Sequence, residues 1–172
     1  MGRFASGIAV VTVQWGEEMH AMTASSLTSV SLEPPLLLVC LTHGSRTLER
    51  VRQSGGFAVN VLGAGQEALS DYFAGRKVAS PEYRLVPYHG GPRLVAAMVT
   101  LGCHLERLIE AGDHDIALGR VTAIAEGDEA REPLVFFRSR YARLTPLAAQ
   151  RSGEVQLGGS IDLPFYQEGD RP

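Results

Sequence analysis

Cysteine is scarce in this chain: 172 residues include only Cys40 and Cys103, both inside apolar stretches and without CxxC spacing. That excludes a disulfide framework and a zinc site, and predicts reduced, buried thiols. The histidines, His20, His43, His89, His104 and His114, show no HxxxH or HExxH spacing. Cys103 and His104 are adjacent, which on a strand sends them to opposite faces, so no metal is predicted. Basic runs are missing too. Against 19 Asp and Glu, 16 Lys and Arg leave a net charge of -3, which argues against nucleic acid or an anionic membrane surface as the main partner. No apolar run approaches membrane-spanning length and no basic region precedes one at the start, so no membrane is expected and the cytoplasm is the default address. Two catalytic signatures are also absent. Gly63-Ala64-Gly65 lacks the third glycine of a dinucleotide-binding turn, and no Gly-x-Ser-x-Gly raises a serine nucleophile on an elbow.

What is present suits one folded domain: 45% hydrophobic and 20% charged residues, with neither repeats nor low-complexity blocks. The domain is expected over 1–150. Residues 151–172, with Gly153, Gly158, Gly159, Pro164 and Gly169, read as an extended C-terminal arm whose Leu157, Ile161, Leu163, Phe165 and Tyr166 lie against something apolar, such as a second subunit. Strands are predicted at 8–13, around Met22 after a turn at 15–18, at 36–41 (buried on both faces), at 57–62 with Asn60 as its polar interruption, within 93–110 and at 115–125. A last piece, 134–137 with 141–144, is expected to close the sheet. Short helices are predicted over 45–51 and 66–73, and 75–88, with Arg76 and Lys77, is a solvated loop or a cationic edge. Many strands without βαβ alternation give a mainly β fold, an antiparallel barrel, closed or nearly so, with a few short flanking helices.

The richest stretch is residues 20–41, HAMTASSLTSVSLEPPLLLVCL, in which Thr23, Ser25, Ser26, Thr28, Ser29 and Ser31 crowd hydroxyls onto both sides of a predicted strand. Around Thr23, Ala24, Ser25 and Ser26 the side chains are short enough for a flat ligand to reach the backbone. Further on, Ser45, Arg46 and Thr47 open a helix whose first N–H groups are unpaired and partly positive, which suits a phosphate; Ser45 serves equally as a plain N-cap. Gly112-Asp113-His114 is a tight connection between antiparallel strands, placing His114 at a rim.

The motifs MTASSLTSVSLEPPLLLVC, GSRTLERV, FAVNVL, Gln66 with Leu69-Ser70, GDHDIALGRV and RSRYARL occur in that order. Together they resemble the flavin reductase-like family of FMN-binding split barrels over roughly residues 2–144. The resemblance implies a homodimeric antiparallel split β-barrel that uses NADH, with NADPH less favoured for want of an Arg cluster at a 2′-phosphate, to reduce FMN or FAD for a partner flavin-dependent monooxygenase. It implies a flavin ring along Thr23, Ala24, Ser25 and Ser26, a phosphate at Ser45, Arg46 and Thr47, and a nicotinamide bordered by His114, the candidate catalytic residue, and Tyr141. In the family a helix precedes GRFASG, and this sequence begins near that helix's end. A non-catalytic flavin carrier or small-ligand-binding barrel using the same Ser/Thr strand, and a related flavin oxidase, are the alternative readings; in the reductase the cofactors carry the chemistry, so no single side chain is indispensable.

Overall fold

The computed structural model describes residues 2–127 and 131–144, so the expected arm over 151–172 lies outside the described residues. Twelve strands and two helices appear among these residues, in the order β1 (Ser6–Gly7), β2 (Ala9–Trp15), β3 (Glu18–Ala24), β4 (Thr28–Leu32), β5 (Pro35–Thr42), α1 (Arg46–Ser54), β6 (Gly56–Val61), α2 (Glu67–Phe73), β7 (Leu85–Val86), β8 (Arg93–Leu94), β9 (Val99–Ala111), β10 (His114–Glu126), β11 (Val135–Phe137) and β12 (Arg140–Ala142). Seven strands form one antiparallel sheet in the order β3-β2-β6-β9-β10-β5-β4, beside a small sheet β1-β11-β12 and the pair β7-β8. No helix among the described residues is long and apolar enough to cross a membrane.

Burial shows how the large sheet curves. Ala9, Val11 and Val13 of β2 share one buried cluster with Leu37, Val39 and Leu41 of β5, although four places separate these strands in the sheet. They meet because the sheet rolls around them, and Leu48 and Val51 of α1 plug the roll. On the other face Ile8, Val10, Leu62, Leu69 and Leu134 form a second core that α2 and the small sheet cover. Phe57 in the first core is fully buried, worth about 1.5–3 kcal/mol. It needs Gly119 opposite, where a Cβ would stand 2.6 Å from the ring, at a register shift that coils β10 against β9. Asn60, the polar interruption of β6, is also fully buried; it donates to the Val10 carbonyl and Thr12 and accepts from Leu94 N–H and Thr100, tying β2, β6, β8 and β9 together.

The ladder leaves β3 and β4 as free edges, the split barrel that the resemblance implies. Four expectations about single elements change. Residues 25–27 break the hydroxyl-rich stretch, which is therefore two edge strands and a corner, not one strand. Across that corner the β4–β5 register puts Ser26 opposite Cys40, and the Ser26 hydroxyl replaces a rung, accepting from Cys40 N–H at 3.0 Å and facing its carbonyl at 3.3 Å. Next, β5 is buried on one face alone: Leu37, Val39 and Leu41 are at most 3% exposed, while Leu36, Leu38 and Cys40 point away from the core and remain half-buried. Cys103 is the buried thiol, its pKa pushed up to about 12 by burial. Finally, β11 and β12 pair with β1 instead of joining the large sheet, and β9 begins only at Val99, since Ala97 turns back onto Leu94 and spends its apolar character in the second core.

Candidate active site

β5 ends at Thr42, and Gly44, at φ 74°, swings the chain into α1. The Ser45 hydroxyl accepts from Leu48 N–H at 3.2 Å, a true N-cap. The Arg46 and Thr47 N–H groups have no intrahelical acceptor, and they sit where the helix dipole is positive. Arg46 is exposed and Ser45 half-buried, whereas Thr47 is buried on the side of α1 that carries Leu48 and Val51. Of the three predicted phosphate residues, two therefore present side chains outward and the third offers its backbone.

The GDH turn meets the residues that lead into this helix, Thr42 and His43. Ala111 and His114 pair across a two-residue loop in which Gly112 has φ 69°, a conformation suited to glycine. His114 lies opposite Thr42 in the β10–β5 ladder, with its Nε2 3.1 Å from the Thr42 hydroxyl and its Nδ1 2.7 Å from Asp113 Oδ1. That contact holds the Asp113 carboxyl below its ordinary range. One residue further, His43 N–H donates to the Asp113 carbonyl at 3.0 Å and its ring Nε2 meets Asp115 Oδ1 at 2.7 Å. Arg52, in the last turn of α1, takes the other oxygen of Asp115. Asp115 is 3% exposed, and the His43 hydrogen bond followed by the Arg52 contacts depresses its pKa. His43, Gly44, Leu48, Arg52, Glu110 and Asp115 border an open cavity of about 420 Å³.

The corner around the predicted ring site is divided in its loyalties. Thr23 donates to the Ser70 carbonyl of α2 at 2.7 Å, Ala24 is buried, Ser25 is exposed, and Ser26 serves β5. Short side chains do leave the backbone approachable at Ser25, so the residues present fit a flat ring at this corner, with its phosphate at α1. Tyr141 stands elsewhere. Its hydroxyl donates to Asp71 of α2 and its ring packs edge-on to Phe136 at 5.7 Å. Burial, then the Asp71 bond, pushes its phenol up, so it remains a donor. Among the described residues no hydrogen bond or ring contact joins Tyr141 to His114, and the two belong to different sheets. Contacts among the described residues do not assemble the common nicotinamide face predicted for them.

The sequence reading missed Asp115 and Arg52 as site residues and, having excluded a metal, gave His43 no place in the site. The partners are 72 and 63 residues apart, beyond any local pattern. The one available signal was the acidic residue directly after GDH on a strand position that alternation sends inward.

Residues 1–145 match the family described as flavin reductase like domain. The chain is 40% identical over 144 residues to the reductase component of 4-hydroxyphenylacetate 3-monooxygenase of Thermus thermophilus, covering 84% of this chain and 92% of that one. It is 39% identical over 152 residues to an NADH-dependent FAD reductase of Streptomyces globisporus, covering 84% and 82%. Among solved structures it resembles the flavin reductase PheA2 with a TM-score of 0.79 at 35% identity, covering 84% and 93%. It also resembles the Streptomyces globisporus NADH:FAD oxidoreductase SgcE6 in complex with NAD and FAD fragments, with a TM-score of 0.77 at 40% identity over 86% and 90%. With the split barrel, the order of the motifs and these likenesses in agreement, the chain belongs to the flavin reductase-like family.

Proposed function

We propose that this chain is an NADH-dependent flavin reductase that accepts FMN or FAD and passes the reduced flavin to a partner flavin-dependent monooxygenase. The observation that carries the reading is the meeting of the α1 start with the GDH turn through Thr42 and His43, which sets an anion-binding helix end beside a histidine at the barrel rim. Ser45, Arg46 and the Thr47 N–H hold the phosphate, while Thr23, Ala24, Ser25 and Ser26 border the ring. Flavin supplies the hydride-accepting chemistry. The protein's part is to hold the donor and acceptor rings in register, an effect on the order of 7–11 kcal/mol in the best intramolecular cases. His114, tethered at both ring nitrogens, orients the nicotinamide. NADH is the donor in the names of several relatives, and a partner monooxygenase is named for others.

The working unit is a homodimer in the cytoplasm, and Tyr141 borders the nicotinamide from a second subunit or across the cleft between them. Leu36, Leu38 and Cys40 of β5 lie beside Ile116 and Leu118 of β10 on the outward face, with Val30 and Leu32 of β4 47% and 89% exposed at its margin. This apolar face suits a second copy. NADH, air and either flavin test the activity: rapid flavin-dependent loss of NADH supports the reductase, and flavin binding without turnover supports a carrier. A stable monomer in light scattering removes the dimer and leaves the fold intact.

A further inference from the structure

His43 is joined to the GDH turn twice, and its two bonds fall on either side of His114 in the chain. Its backbone N–H donates to the Asp113 carbonyl at 3.0 Å, and its ring Nε2 meets Asp115 Oδ1 at 2.7 Å. His114 pairs with Thr42 at the last rung of the β10–β5 ladder, so His43 is the first residue past that rung. Side chains alternate along a strand, and the contacts follow: Thr42 meets His114 on one face, and His43 meets Asp115 on the other. His43 therefore grips the turn without occupying the face on which His114 stands.

Neutralising Asp115 does not require His43. Arg52 already takes the second carboxylate oxygen, from the far end of α1. Nor does His43 add much to stability, since 39% of its side chain is exposed and a polar contact that open contributes little. What it adds is position. Each of the two turns bends at a left-handed glycine, Gly44 ahead of α1 and Gly112 ahead of His114, so neither has a side chain at its bend to stiffen it. The bonds of Thr42 and His43 hold one turn to the other at the ladder's end, and with it the distance between the α1 start and His114.

We infer that His43 is a positioning residue for hydride transfer, which through Asp113 and Asp115 sets the place of His114 relative to the α1 start; the inference rests on the flavin reductase reading. Displacing an orienting group by about 1 Å can cost up to about a hundredfold in rate, so loosening one of its holds is expected to cost about tenfold. The test makes His43→Ala and His43→Gln in the full chain, and His43→Ala also together with His114→Ala. His43→Ala keeps the backbone bond to Asp113 and loses the ring bond to Asp115, whereas the amide of His43→Gln puts a donor back at that place. The expected result in His43→Ala is a fall of about tenfold in kcat/KM for NADH, with the flavin dissociation constant and Tm unchanged, and recovery in His43→Gln. In the His114→Ala background the same substitution costs nothing further, because the group it positions is gone. Additive losses in the double variant, a fall in flavin affinity, or no recovery in His43→Gln overturn the inference. A second readout needs neither flavin nor turnover. With isotope-labelled histidine, the His114 ring resonances, assigned by their disappearance in His114→Ala, shift in His43→Ala and return in His43→Gln. Resonances that stay in place also overturn the inference, while the expected shift in a native chain that oxidises no NADH strikes the reductase reading alone.

Discussion

The two sides of the β2–β3 edge handle polar groups in opposite ways. On the α1 side, Asp115 is shared by His43 and Arg52, and His114 is held between Thr42 and Asp113. On the α2 side, the rings of Tyr72, Phe73 and Tyr83 lean on one another while Arg84 stands without an ion partner among the described residues. The first arrangement is pre-organised: its charges are oriented by the chain before a ligand arrives, so binding spends little on ordering them. The second leaves the Tyr83 ring and the Arg84 cation open to solvent. On the function proposed above, orientation of the reacting rings falls to the α1 side.

Breaking the Asp115 pairing has the largest expected effect. Asp115→Asn removes the carboxylate that His43 and Arg52 share and leaves the Arg52 guanidinium unbalanced, loosening both the helix start and the GDH turn. Tm falls, and flavin affinity and NADH turnover fall with it, a joint loss that substitutions at either end alone do not produce. The pH dependence identifies the cause. A carboxyl whose folded pKa is depressed stabilises the protein above its unfolded pKa, and that stability is lost as pH falls through the folded value. The Tm gap between the native chain and Asp115→Asn is therefore full near neutral pH and shrinks below about pH 4. A gap that persists in acid assigns the loss to packing instead of charge.

The next effects separate the two ends of the pre-organised side. Ser45→Ala weakens flavin binding by about 1–3 kcal/mol through a lost bond to a charged phosphate, whereas Thr47→Ala, which keeps the N–H, leaves that bond in place. Because the Ser45 hydroxyl caps α1 and Thr47 is buried, part of the damage appears as stability, about 1 kcal/mol for the cap alone. Isothermal titration and thermal melts on the single variants divide the two, and unchanged flavin affinity removes the phosphate assignment. His114→Ala acts at the other end. It raises the KM for NADH or lowers turnover by about ten- to a hundredfold and leaves the flavin dissociation constant unchanged, since one orienting contact is lost while the cofactor chemistry remains. Flavin binding that falls while NADH kinetics hold moves His114 into the flavin site or the fold.

How much of this was legible in the sequence follows from the range of each interaction. The GDH turn, the Ser45 cap and the strand containing Asn60 rest on neighbours within a few residues, and all are found where expected. The break at residues 25–27 was hidden because a run of small hydroxyl residues has no periodicity to interrupt, and Ser26 imitates a ladder rung with its side chain. The apolar residues 95–98 read as strand because hydrophobicity reports burial and not conformation. Closure of the barrel, the joining of β11 and β12 to β1, and the His43–Asp115–Arg52 cluster all depend on contacts between residues far apart in the chain. No window of sequence contains them.

The smallest effect sharpens the α2 side, because the hairpin that carries Tyr141 is strained. Arg138 and Ser139 have φ of 50° and 60°, and they are the non-glycine residues with positive φ among those described. They form the two-residue loop between Phe137 and Arg140, which pair across β11 and β12. A two-residue hairpin loop with both central residues left-handed is the type that favours Asn-Gly, because an L side chain there costs about 1–2 kcal/mol per residue. Ser139→Gly removes that cost but adds freedom to the unfolded chain worth about 0.5–1 kcal/mol. The net gain is therefore small, on the order of 0.5–1 kcal/mol. Urea unfolding checks it, with Ser139→Ala as the control that retains a Cβ and gives no gain. Flavin affinity and NADH kinetics should not move, since the Tyr141 hydroxyl remains fixed to Asp71. A stabilised Ser139→Gly with impaired NADH kinetics instead shows that the strained loop sets the position of Tyr141, and hence that the hairpin and not Asp71 governs that side of the cleft.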